Sequence, residues 1–115
     1  NAIHISLRAA EELAKEGVSC EVIDLRSLAP WDHKTVFKSV EKTGRVVVAH
    51  EHYKTGGLGG EIAATISDEM FKYLDAPVGR VCSKDTPVGF AKSLESAILL
   101  NQNDIIESVK KVLKY

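Results

Sequence analysis

Ile3, Leu7, Ala10 and Ala14 recur at helical spacing opposite Glu11, Glu12, Lys15 and Glu16. The pattern predicts an amphipathic helix over residues 2 to 16, stopped by Gly17. Val18 to Leu25 is rich in β-branched residues and short, which predicts a strand. Pro30-Trp31-Asp32 then opens a second helix with Asp32 as its N-cap, Val36, Phe37 and Val40 inward, and Gly44 as its stop. Trp31 reads as a hydrophobic anchor at that helix entry. Arg45 to Ala49 carries three consecutive valines, the near-continuous apolar pattern of a parallel strand covered on both faces. After a glycine cluster, Ile62, Ile66, Met70 and Leu74 step by four and predict a helix of roughly four turns with Glu61 in its first turn. Pro77 to Cys82 reads as a further strand, and Ser83 to Asn103 mostly as loop, with a helical turn or two in Leu94 to Leu100. Asn103 or Asp104 caps the last helix, whose stripe is Ile105, Ile106, Val109, Val112 and Leu113 and whose basic end is Lys110, Lys111 and Lys114.

Helix, strand, helix, strand, helix, strand, loop, helix is the order of an α/β domain with a mostly parallel sheet between two helix layers, a three-layer α/β/α arrangement. Three strands make a thin sheet. The first helix begins at residue 2 with no strand ahead of it, so the alternation reads as cut in its first unit, and residues 1–115 as one domain of a longer protein.

The chain of 115 residues balances 15 basic against 16 acidic residues, a net charge of −1, with no basic patch for nucleic acid and no span or leader for a membrane. It reads as a soluble intracellular domain. Cys20 and Cys82 lie in separate apolar runs with no Cys-x-x-Cys pairing, and are expected to be reduced, buried thiols.

The chemistry-bearing stretch is the junction Gly44 to Ile62. Gly56, Gly57, Gly59 and Gly60 allow a close backbone approach ahead of a helix N-terminus, which could cradle a phosphate. The spacing matches neither Gly-x-Gly-x-x-Gly nor a P-loop, so a tight packing turn or chain interface is the stronger reading. His50 and His52 stand at the carboxyl end of the valine strand, where open parallel sheets face ligands. They are candidates for acid–base work at the edge of a composite site, and a zinc site lacks a third ligand. His4 and His33, near helix starts, carry no role.

Taken together, Glu21-Val-Ile-Asp-Leu-Arg-Ser-Leu-Ala-Pro30, Thr43-Gly-Arg-Val-Val-Val48, Thr55-Gly-Gly-Leu-Gly-Gly-Glu-Ile62, Leu74-Asp-Ala-Pro-Val78 and Asp85-Thr-Pro87 resemble the transketolase C-terminal domain, in the form that ends 2-oxoacid dehydrogenase beta subunits. The resemblance runs through the whole chain. It implies a parent enzyme that decarboxylates a 2-oxoacid on thiamine diphosphate with magnesium and transfers the acyl group to lipoyl, with pyruvate, a branched-chain 2-oxoacid or acetoin as the substrates of the parents in that group. It implies a strand ahead of the first helix, and a cofactor held by other domains, so that this segment alone is inactive. The implied partners are an alpha subunit or its equivalent domain, a second beta subunit and the dihydrolipoyl acyltransferase, in the bacterial cytoplasm or the mitochondrial matrix. Gly56, Gly57, Gly59, Gly60 and Glu61 then become a subunit-interface turn, and Asp75 and the carboxylate of Tyr115 become acidic contacts for the basic docking domain of the acyltransferase. Leu99-Leu100 departs from the Leu-Pro that many relatives carry there. The second reading is the equivalent domain of transketolase or deoxyxylulose-phosphate synthase. The third is a small phosphate- or nucleotide-binding module.

Overall fold

A computed structural model describes residues 1–115. Helix α1 (Ala2–Lys15) is followed by an extended segment, then α2 (His33–Thr43), strand β1 (Val47–Tyr53), α3 (Leu58–Glu69), a 3-10 turn (Phe71–Tyr73), strand β2 (Gly79–Ser83), α4 (Lys92–Ile98) and α5 (Gln102–Leu113). The strands pair in parallel, with Val47 opposite Gly79 and His50 opposite Cys82, and the register slips between His50 and Tyr53.

Strand alternation sorts the core into two layers. Val47 and Ala49 face the cluster of Ile5, Ala9, Val81, Leu100 and Ile105 beneath α1 and α5. Val46 and Val48 face Val36, Val40, Ile62, Ile66 and Met70 beneath α2 and α3. The sheet therefore lies between two helix layers, the α/β/α arrangement expected. No helix is long and apolar enough to cross a membrane.

Helix ends follow local chemistry. Asp32 accepts the Thr35 amide at 3.0 Å as N-cap. Gly44 closes α2 at φ +68°. Asn101, rather than Asn103 or Asp104, caps α5. Asp104 completes the capping box by accepting the Asn101 amide at 2.8 Å. The helix carrying Ile62 and Ile66 ends at Glu69, and the 3-10 turn leaves Leu74 outside it. The helical turn or two expected in Leu94 to Leu100 is α4, which starts two residues earlier at Lys92, ends at Ile98 and buries none of its residues.

Two expectations need correction. In α1 the buried positions are Ile5, Ala9 and Leu13, not Leu7 and Ala14, which are exposed. Ile5 and Ala9 pack towards α5 and the sheet, while Leu13, like Ile3 and Ala10, lines a cavity on the other flank.

The larger correction concerns Val18 to Leu25, which forms no strand. No backbone group from residue 19 to 24 bonds another backbone group. Glu21 ties the segment to α2 instead, accepting from the Ser39 hydroxyl and pairing with Lys42. Between it and β1 lies a cavity of about 920 Å³, lined by apolar side chains that include Val22, Val46, Val48 and Leu25. The valines of β1, expected to be covered on both faces, are consequently only half-buried. The sheet has two strands instead of three because the strand-forming sequence has no neighbour within hydrogen-bonding reach. Cys20 and Cys82 are free thiols and are half-buried. Burial raises the pKa of both.

Candidate functional site

Strand β1 delivers His50 to the N-terminus of α3. The N-cap of that helix is Gly57, which has no side chain with which to satisfy the first-turn amides. The imidazole of His50 does so instead: its Nε2 accepts the Gly59 amide at 3.1 Å and lies 3.4 Å from Cys82 Sγ on β2. Because Nε2 accepts, the neutral ring carries its proton on Nδ1. Burial lowers the His50 pKa, and the charges of His52 and Arg80 add to the effect.

The glycines of the turn answer to separate local demands. Gly56 takes φ +71°, the left-handed region. A Cβ on Gly57 would overlap the Tyr53 carbonyl and stand 2.7 Å from His50 Cε1, and one on Gly59 would overlap the imidazole itself. Gly57 and Gly59 thus serve the packing of the turn on its own strand, while Gly56 serves its backbone conformation. Leu58 and Glu61 point outward. His52 is exposed, tilted against the Tyr53 ring at 5.1 Å between centroids, and lines the mouth of the cavity together with His50.

Sequence reasoning missed two ties at this end. Asp85 accepts both the amide (3.0 Å) and the hydroxyl (2.6 Å) of Thr55, which pins the glycine turn to the loop after β2. The hydroxyl bond to Thr55 is the main reason the Asp85 pKa is lowered. Ser83, buried, donates to the Glu51 carbonyl at 2.5 Å and so bridges the slipped register. The Asp-Thr-Pro sequence signals a turn, but nothing in it tells that the carboxylate reaches across 30 residues.

The opposite end gathers the other candidates. Arg45 donates to the Val112 carbonyl of α5 at 3.2 Å and pairs with Asp75 at 3.4 Å, while the Asp75 amide donates to the Gly44 carbonyl at 2.8 Å. Asp75 and the α5 terminus that carries Tyr115 are brought together through one arginine. The Asp75 side chain remains 61% exposed, and Tyr115 is also exposed.

A family profile described as the transketolase C-terminal domain matches residues 1–105. The chain belongs to the transketolase C-terminal domain family. It is 43% identical over 113 residues to the pyruvate dehydrogenase E1 component subunit beta of Rickettsia felis, covering 98% of this chain and 35% of the relative. It is 48% identical over 110 residues to the mitochondrial 2-oxoisovalerate dehydrogenase subunit beta of Dictyostelium discoideum, covering 96% of this chain and 29% of that one. It is 44% identical to the pyruvate dehydrogenase E1 component subunit beta of Bacillus subtilis, covering 98% and 34%. The chain thus spans about a third of the length of these relatives. They include bacterial and mitochondrial proteins and beta subunits named for two different 2-oxoacids, so identity alone does not choose a substrate.

In the glycine turn of this transketolase C-terminal domain, two of the amides a phosphate would use are already engaged. The Gly59 amide that a phosphate would need is taken by His50, and the Gly60 amide donates to the Gly57 carbonyl at 3.0 Å. No group of three or more His, Cys, Asp or Glu side chains converges to hold a metal. What the domain presents is an apolar slot beside its sheet, with polar clusters at both ends of its strands.

Proposed function

We propose that this chain is the C-terminal assembly domain of a thiamine-diphosphate-dependent 2-oxoacid dehydrogenase beta subunit. In this reading the diphosphate and magnesium are held by other domains, and residues 1–115 supply packing, subunit contact and docking. The observation that carries the reading is the apolar slot between Val18–Leu28 and β1. Its unpaired backbone groups would need partners once the slot is filled and water excluded. The amino group of Asn1 lies 3.9 Å from Glu51, near the carboxyl end of β1. A strand leading into α1 from the longer protein would therefore end there and run parallel to β1, joining Val22 to Leu25 on one side and Val46 to Val48 on the other.

Subunit contact falls to the outward part of the glycine turn, Gly56, Leu58 and Glu61, with Gly57, Gly59 and Gly60 holding its shape. His50 and His52 stand at the edge of the assembled active site. The basic docking domain of the dihydrolipoyl acyltransferase meets the end that holds Asp75 and Tyr115, where charge-assisted pairing steers association. Deoxyxylulose-phosphate synthase and transketolase are disfavoured by the dehydrogenase names of the relatives. A free-standing phosphate module is disfavoured because the Gly59 and Gly60 amides of the turn are engaged internally.

Asp75→Lys in the full enzyme tests the docking assignment. Binding of the acyltransferase is expected to weaken about tenfold or more, the scale of one charge-assisted contact, while decarboxylation with an artificial electron acceptor stays unchanged. Unchanged binding would remove Asp75 from the docking surface.

A further inference from the structure

We propose that His50 is a proton-operated latch on the glycine turn: the neutral imidazole holds the first turn of α3 against the strand ends, and protonation releases residues 56–60. The inference rests on contacts within this chain and is independent of which 2-oxoacid the parent enzyme takes.

The geometry leaves one chemical state for the closed form. Nε2 is the acceptor for the Gly59 amide, and the ring fills the space that side chains at Gly57 and Gly59 would otherwise occupy. A proton on Nε2 would set one N–H against another and add a cation at the positive end of a helix dipole. The faces around the ring offer it no relief. On β2 stand the Cys82 thiol, whose own pKa is raised by burial, and the Arg80 guanidinium, which donates to the Lys54 carbonyl at 3.4 Å. On β1 stand His52 and Glu51, whose carboxylate faces the Asn1 amino group. Lys54 lies in the turn, Asp85 is engaged by Thr55, and Glu61 in the first turn of α3 is exposed.

The direction of the pH effect follows. His50 titrates lower in the folded chain than its ordinary value of 6.5, so the unfolded or unlatched form binds the proton more readily. The latch is fully closed above that ordinary value and is lost as pH falls below it. Thr55, held by Asp85, and the Arg80 contact remain as tethers, so the opening is confined to the turn and the start of α3.

Hydrogen exchange by mass spectrometry on the full-length subunit, corrected for intrinsic exchange, tests this directly. Between pH 7.5 and 5.5 a peptide spanning Thr55–Ile62 is expected to lose about tenfold in protection, the value of one hydrogen bond, while a peptide from α5 stays constant. His50→Gln, which can accept without titrating, is expected to show no such pH dependence. Equal protection of the native turn at both pH values, or the same pH dependence in His50→Gln, would overturn the latch. The native pH series decides the matter even if the variant folds poorly.

Discussion

Gly59→Ala is expected to destabilise the domain by about 2–3 kcal/mol, the range for forcing an atom into a filled site, and to do so only while His50 is present. The added Cβ would overlap the imidazole ring and nothing else so closely, Val48 Cγ1 being next at 3.4 Å. Removing the ring by His50→Ala opens that space, at a cost of about 1–3 kcal/mol for the abandoned Gly59 amide. In that background Gly59→Ala should be nearly neutral, because alanine suits a helix better than glycine. Gly57→Ala offers the contrast. Its clash is with the Tyr53 carbonyl, which is main chain, so His50→Ala should not rescue it. Denaturant midpoints for the double-mutant cycle measure both couplings. Additive effects of Gly59→Ala and His50→Ala would show that the ring does not occupy the space the glycine leaves.

The other large effect is expected from Ile66→Ala. Ile66 is 1% exposed and packs with Val36, Val40, Ile62 and Met70, so its truncation strips a buried side chain from the core and enlarges the slot that it also lines. A loss of about 2–5 kcal/mol follows, enough to lower Tm by roughly 10 °C in a domain of this size. Val48, in the same layer but only half-buried, should cost much less when cut to alanine in the 115-residue chain. Thermal unfolding followed by circular dichroism separates the two. Similar losses at both positions would mean that the slot is closed in solution.

Local signals in the sequence were read correctly where the cause is local. Asp32 at a helix start and Gly44 and Gly17 at helix ends all act within a few residues of themselves, and each is found in that role or conformation. The two-layer core was legible because the valines of β1 alternate between α1–α5 and α2–α3. The strand at Val18–Leu25 failed because a strand is a pairing, and β-branched composition says nothing about whether a neighbour is present. The α1 stripe was misplaced for a related reason: the helix has apolar side chains on two flanks, one packed and one facing the slot, and periodicity alone does not rank them.

At the site, the position of His50 at the strand end was legible, but its partner was not. The bond to Gly59 joins residues nine apart through a turn whose shape depends on Gly56 and Gly57. The Asp85–Thr55 and Arg45–Asp75 ties each span 30 residues and left no trace in spacing. The family resemblance supplied what these contacts could not, because several ordered motifs together identify a domain more sharply than any one side chain.

The assembly reading turns on whether the slot beside β1 is filled in the longer protein. Backbone hydrogen exchange of residues 19–25 and 46–48, compared between the 115-residue chain and the full-length beta subunit, measures this. The amides of residues 19–25 should exchange freely in the short chain and gain on the order of a hundredfold protection or more in the full-length subunit, as a strand joins on both sides. Equal, low protection in both would mean that the slot stays open and that this domain is not completed by the rest of the subunit.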